Sequence, residues 1–418
     1  MNEIKNRENI NENYSNRLDI LLALRGFACF MVMISHLNPP RDSIIYKGYD
    51  LSWLLFSDGK VAVWIFFCLS GYLMGKAFYT ERYTGDTLGL IKFWRNRILR
   101  IVPLYYFSVL VCILFVDPNF LKTENWGYLI RILTFTSYLG LPTVNGVLWS
   151  LSTEMHFYAC VPFIYNFLKY RLFGKINIIV GALFILSISF ILRLAVWIIF
   201  YKQVHENIIY LMKYWYSPVI MNLDLFLCGF LVNALLAYRK YTNDDLNSIN
   251  NNGKKKFGFA ILSPQIIALV LMASLYLFTA HHKYNQELHG LLDPARGVRT
   301  STTFFILPLL TALITSFFIF VFESNSYNEF RKIKNLSFAA ILKNPFRTLE
   351  IFGILSYGIY IWHQQIIIKI APIFVGQIPI ESFYARFTAT LILSTLFSAV
   401  TYYLVELPAI RLKVKEKS

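Results

Sequence analysis

Apolar runs of about 20 residues recur along nearly the whole chain, each long enough to cross about 30 Å of hydrocarbon at about 1.5 Å per residue. This pattern constrains the fold more than any motif does. Inside hydrocarbon every backbone N–H and C=O must be satisfied within the protein, and single runs of this length do that only as helices. The expectation is an all-α, polytopic integral membrane protein of about ten transmembrane helices, at 18–38, 60–80, 98–117, 147–168, 176–200, 217–238, 259–280, 302–323, 347–371 and 383–405. With 56% hydrophobic and 15% charged residues over 418 positions, the composition excludes a set of soluble domains.

One further stretch, near 126–146, mixes Arg131, Thr134, Thr136, Ser137 and Gly140 with its apolar residues. It reads as a re-entrant or interfacial piece, because irregular polar backbone does not face lipid. With ten crossings, the segments on the side of the N-terminus carry 25 Lys/Arg and the opposite segments carry 12. That bias places both termini in the cytoplasm and the protein in the cell membrane. Three parts follow: a polar N-terminus at 1–17, one membrane domain at 18–405 and a basic tail at 406–418. The N-terminus has no apolar core of a cleavable signal, and the short tail leaves no room for an appended soluble domain.

The net charge of +16 raises the question of nucleic acid, but there is no zinc pattern and no basic helix outside the apolar runs. The charge serves topology, the lipid bilayer and an anionic ligand. Cys29, Cys68, Cys112, Cys160 and Cys228 all sit in apolar runs without metal spacing, so neither a disulfide nor a metal is expected.

Function is read from ionisable groups at bilayer depth, each costing about 2.5–3.5 kcal/mol on insertion scales. In the first run Arg25 and His36 are 11 residues apart, so they share one helix face with about 16 Å between them along the axis. Arg97 and Arg100, at i and i+3, can aim two planar guanidinium groups the same way, a geometry suited to phosphate. Glu154 opens the fourth run amid Trp149, Ser150, Ser152 and Tyr158, which together describe a wet cavity; His156 points elsewhere and reads as an interfacial residue. His363 lies toward the outer end of the ninth run, with Ser356, Tyr357 and Tyr360 below it. Asp224 and Arg193 reach similar depth, either as part of a site or simply as a pair, and Glu406 with Arg411 reads as a structural cap.

The segments LRG followed by His36, IFFCLSGYL, RNRILRIVPLYY, LWSLSTEMHFY, SYGIYIWH and VELPAIRL, in that order, resemble the membrane acyltransferase-3 family from about residue 17 to 411. The resemblance implies a ten-helix enzyme that moves an acyl group, usually acetyl, from acetyl-CoA in the cytoplasm to a hydroxyl of a carbohydrate or related acceptor at the outer face. Matched by position, the family's arginine and histidine of the first helix fall on Arg25 and His36, its RxxR pair on Arg97 and Arg100, and its SLSxE glutamate on Glu154. Two departures stand out. Trp64 occupies a position before the FF pair that is acidic in many relatives, and Met155 and His156 follow Glu154 in place of a second acidic or amide residue.

Chemistry then assigns roles. Histidine, with an ordinary pKa near 6.5, is the side chain best matched to removing the acceptor's proton at neutral pH. His36 is the expected base, with Glu154 orienting it. Arg97 and Arg100 would hold the donor's phosphates, and Arg25 would guide its pantetheine arm along a passage reaching His36. Trp149, Ser150, Ser152, Tyr357, His363 and Asp224 are candidate substrate or oxyanion contacts. The alternative is a transporter or flippase of a glycan or lipid precursor, in which the same charges line a path and no acyl-CoA is consumed. Neither the acceptor nor the oligomeric state is legible.

Overall fold

A computed structural model describes residues 18–138, 143–172, 174–249, 263–288, 302–324, 344–374 and 378–413. The N-terminal 17 residues, the lysine run at 254–256 and the last five residues lie outside them. The longer helices are α1 (Ile20–Leu37), α2 (Gly59–Tyr79), α3 (Thr87–Phe115), α4 (Trp126–Leu133), α5 (Leu148–Leu168), α6 (Lys175–Ile199), α7 (Leu223–Ile249), α8 (Pro264–Leu288), α9 (Leu307–Glu323), α10 (Arg347–Ile370) and α11 (Pro379–Thr401). Strand structure among the described residues is one hairpin, Ile45–Tyr46 paired antiparallel with Tyr49–Asp50. Lys47 and Gly48 turn it with φ of 48° and 80°.

Nine described helical segments are long and apolar enough to cross a membrane, against the ten expected. The remaining one, the fourth run at 147–168, does form a helix, α5, of 21 residues. It falls outside the nine because its first two turns spend their positions on Ser150, Ser152, Thr153, Glu154 and His156. Much of that stretch faces protein: Leu148 to Thr153 are all buried. The segment from 126 begins with α4, eight residues or about 12 Å long, too short to span. It is docked by Tyr105 and Tyr106, whose hydroxyls donate to the Ile132 and Leu133 carbonyls, each at 2.8 Å. The boundary expected after residue 405 is not an end. The helix passes through a π-turn at Tyr402–Glu406 and continues to Arg411.

The ends of α1 are written locally. Asp19 caps its start, its carboxylate accepting from the Leu21 and Leu22 amides at 3.1 and 3.2 Å. Asn38 closes it in the left-handed region with φ 48°, and Pro39 and Pro40 prevent continuation. His36 is therefore held in the last turn.

The most extensive helix–helix contact in the bundle is α1 against α10. The two approach so closely that a Cβ on Gly26 would collide with the Leu349 carbonyl, and one on Gly353 with the Leu22 carbonyl. One turn further on, the Cys29 thiol reaches the Ser356 carbonyl at 3.9 Å. Beyond that, His36 meets His363. Both later pairs are 327 residues apart in sequence, as are the two glycines, so α1 and α10 run parallel and in register. Gly26, Cys29 and His36 all fall on seam positions of a heptad, with Met33 on the one between the last two. A second glycine-mediated pair, α2 with α7, places Gly71 on the Phe226 backbone and Gly229 on the Cys68 backbone.

Arg193 of α6 and Asp224 of α7 form a buried bidentate pair, both contacts 2.7 Å, with a third bond from Arg193 to the Met221 carbonyl. Removing one partner leaves an uncompensated charge, so Asp224→Ala should destabilise the protein by about 3–5 kcal/mol, read as a lowered unfolding midpoint in detergent. Gly353→Leu should lower the same midpoint by forcing α1 from α10. Gly127→Ala, with nothing near its added methyl, should leave it unchanged.

Candidate functional site

A cavity of about 70 Å³ lies between α1, α2, α5 and α10. Of the residues singled out in the sequence, Arg25, Ser150, Glu154, Ser356, Tyr357 and Tyr360 line it, joined by Ser70. The polar positions of α5 face inward here, which is why that helix is less apolar than its neighbours.

Glu154 does not orient His36. Its carboxylate accepts hydrogen bonds from the Ser70 hydroxyl and from the Tyr158 hydroxyl one turn along α5. The expected His36–Glu154 pair is thus replaced by a carboxylate clamped between a serine of the SG motif on α2 and a tyrosine. Arg25 faces the same cavity, and Glu154 and Arg100 are among its electrostatic neighbours. It makes no hydrogen bond or ion pair among the described residues, and its Nε is buried and unpartnered.

The arginine pair of α3 divides. Arg100 reaches the Glu406 carboxylate at 3.3 Å. Arg97 has a buried, unpartnered Nε, with its guanidinium 5.9 Å from the Phe93 ring centre. Neither lines the cavity, but the next residue does connect to its wall: the Tyr357 hydroxyl donates to the Ile101 carbonyl at 2.6 Å. Arg100 is also an electrostatic neighbour of Arg25, which sits toward the start of α1, and Glu406 is its charge partner.

His36 lies at the other end of α1, against His363. Their Nδ1 and Nε2 atoms are 2.7 Å apart. His36 is exposed, whereas His363 is buried on the α10 side. Neither lines the cavity; Tyr360 stands between. Its ring centre is 5.7 Å from that of His363, and its hydroxyl is 2.7 Å from Ser150 Oγ on the cavity wall. Tyr357 lies six residues, about 9 Å, before His363 on α10.

The remaining candidates are occupied elsewhere. Trp149 packs against Phe67 and Tyr216, with ring centres 6.4 and 4.5 Å away. Ser152 is buried, 3.4 Å from the Ser137 hydroxyl and bonded to the Leu148 carbonyl. Asp224 is held by Arg193, so its expected role as a substrate contact gives way to the structural pair. His156 is exposed and does not line the cavity. Sequence reasoning missed Ser70, although it lies in the quoted IFFCLSGYL, and missed the contact between the two histidines. The signal for the latter was present: each histidine follows a glycine by ten residues on an odd-numbered run.

Residues 18–403 match the family described as an acyltransferase domain, the acyltransferase-3 family. The O-acetyltransferase OatA of Staphylococcus aureus (strain NCTC 8325 / PS 47) is 25% identical over 426 residues, covering 97% of this chain and 59% of that protein. The peptidoglycan O-acetyltransferase OatA of Listeria monocytogenes serovar 1/2a is 31% identical over 180 residues, 38% of this chain and 27% of its own length. The putative peptidoglycan O-acetyltransferase YrhL of Bacillus subtilis strain 168 is 30% identical over 154 residues, 33% of this chain and 22% of its own. The chain thus spans about three-fifths of the length of the Staphylococcus relative, and no solved structure matches it. On the extent of the domain match, the chain belongs to the acyltransferase-3 family.

Proposed function

We propose that the protein is a transmembrane O-acyltransferase that takes an acyl group, acetyl in the first instance, from acyl-CoA on the cytoplasmic side. It delivers the group to a hydroxyl of a glycan on the opposite side. The observation that carries this reading is Arg25 facing the cavity with Arg100 as an electrostatic neighbour, while Tyr360 on the same cavity wall adjoins His363 and, through it, the exposed His36. Arg25 and Arg97 each have a buried Nε without a hydrogen-bonding partner among the described residues, which is costly at this depth unless an anion visits them. The names of the relatives, which specify O-acetyl transfer and in two cases peptidoglycan, support the reaction class and a carbohydrate acceptor.

In this reading the phosphates of the donor bind Arg97 and Arg100 bidentately, and Arg25 steers the arm into the cavity. His36 removes the acceptor's proton as its oxygen attacks the thioester carbonyl. Glu154, already holding two hydroxyl donors, keeps the cavity wall polar and balances Arg25 electrostatically.

His36→Ala should abolish acyl-ester formation on surface polysaccharide, measured as base-labile acetate by mass spectrometry, while the glycan is still exported. Loss of export with ester formation per glycan unchanged would instead establish a transporter. Replacing both Arg97 and Arg100 with alanine should raise KM for acetyl-CoA at least tenfold; unchanged binding of a non-hydrolysable CoA analogue would remove them from the donor site. Because Glu406 competes for Arg100, Glu406→Gln should tighten binding of that analogue severalfold in a titration.

A further inference from the structure

We propose that His363 is the positioning residue for His36: its Nε2 accepts a hydrogen from His36 Nδ1, fixing the ring so that His36 Nε2 is the bare nitrogen presented to the acceptor. This rests on the acyl-transfer reading for its consequence, but the arrangement itself stands on geometry.

The two imidazole planes are within 6° of each other and their centres are 5.0 Å apart. With Nδ1 and Nε2 only 2.7 Å apart, the two ring radii and the contact together account for the whole separation. The rings therefore meet edge to edge in a shared plane, which is the alignment an N–H···N bond requires and which face-to-face stacking would not give.

The direction of that bond follows from the next contact inward. His363 Nδ1 is 3.2 Å from the Ile359 carbonyl oxygen, one turn back on α10. A carbonyl only accepts, so His363 Nδ1 carries the hydrogen. A neutral His363 then has a lone pair on Nε2, and His36 Nδ1 must donate to it. That leaves His36 Nε2 as the acceptor nitrogen. It has no hydrogen-bond partner among the described residues, and His36 is exposed while His363 is buried. The chain of bonds runs from a fixed backbone carbonyl, through His363, to His36. It does for the base what a buried carboxylate does elsewhere, without a negative charge at bilayer depth.

The proton accounting is closed. His36 Nε2 takes the proton of the acceptor hydroxyl while its oxygen forms the new ester C–O bond. The thioester C–S bond breaks with its electron pair on sulfur, and the Nε2 proton passes to that thiolate to give the free CoA thiol. His36 Nδ1–H remains bonded to His363 throughout, so His363 neither gains nor loses a proton.

The test uses the full chain in nanodiscs, labelled with ¹⁵N-histidine, with His36 resonances identified by their loss in His36→Ala. Wild type should show Nδ1 protonated and Nε2 bare. His363→Gln, whose side-chain oxygen falls near the lost Nε2, should preserve that tautomer. His363→Leu, which removes the acceptor, should convert a large fraction of His36 to the Nε2–H form. In cells, base-labile acyl ester normalised to membrane protein level should fall about 100-fold in His363→Leu and recover at least tenfold of that in His363→Gln. A wild-type His36 protonated on Nε2, or equal ester formation by the Leu and Gln variants at equal protein level, would overturn the proposal. Should His363→Leu fail to accumulate, the wild-type and Gln spectra decide. Ester formation that does not depend on the chain, with the tautomer as stated, would sink the acyl-transfer reading and leave the pairing standing.

Discussion

Close parallel packing of α1 on α10 is the constraint from which the arrangement of the site follows. Lipid offers no hydrophobic drive for two helices to associate, so approach depends on small residues that let backbones touch. Gly26 and Gly353 supply that contact, each against the other helix's carbonyl. Because both helices run the same way, a match made at the glycines is carried unchanged to every later pair. Ten residues on, about 15 Å, it delivers one imidazole to another. Moving the register by a single residue would rotate His36 by about 100° and part the rings.

Charges buried at depth divide into two kinds. Arg193 with Asp224, and Lys76 with Glu323, are matched at 2.7 Å, the latter supported by the Tyr72 hydroxyl at 2.6 Å. Such pairs pin α6 to α7 and α2 to α9, and their cost is offset internally. Arg25 and Arg97 are of the other kind: their buried Nε atoms find no acceptor among the described residues. Arg100 stands between the two, bonded to a carboxylate that an incoming phosphate would have to displace.

Much of this was legible in the sequence, and the limits are physical. The membrane helices follow from run length, and the starts and stops of α1 from Asp19 and the Asn38-Pro39-Pro40 sequence. Arg25, His36, the arginine pair and Glu154 were identifiable because an ionisable residue in hydrocarbon is expensive. What could not be read was pairing between distant helices. Glu154 looked like the natural partner of His36, yet it is bound by Ser70 and Tyr158, because the facing of α5 toward α2 depends on tertiary packing and not on any local pattern. Asp224 looked equally able to join a site or an ion pair for the same reason. α5 matches the run expected at 147–168, but its polar inward face keeps it out of the segments apolar enough to cross a membrane, which periodicity alone does not weigh.

Tyr360, with its hydroxyl tied to Ser150, has a consequence beyond alignment. A water-filled bore joining the two sides of an energised membrane would short-circuit the proton gradient, since water wires conduct protons readily. On the proposed route, an aromatic ring between the cavity and the exposed imidazole would act as an airlock, keeping bulk water from bridging the two sides while leaving a slender flexible arm one side chain to push aside.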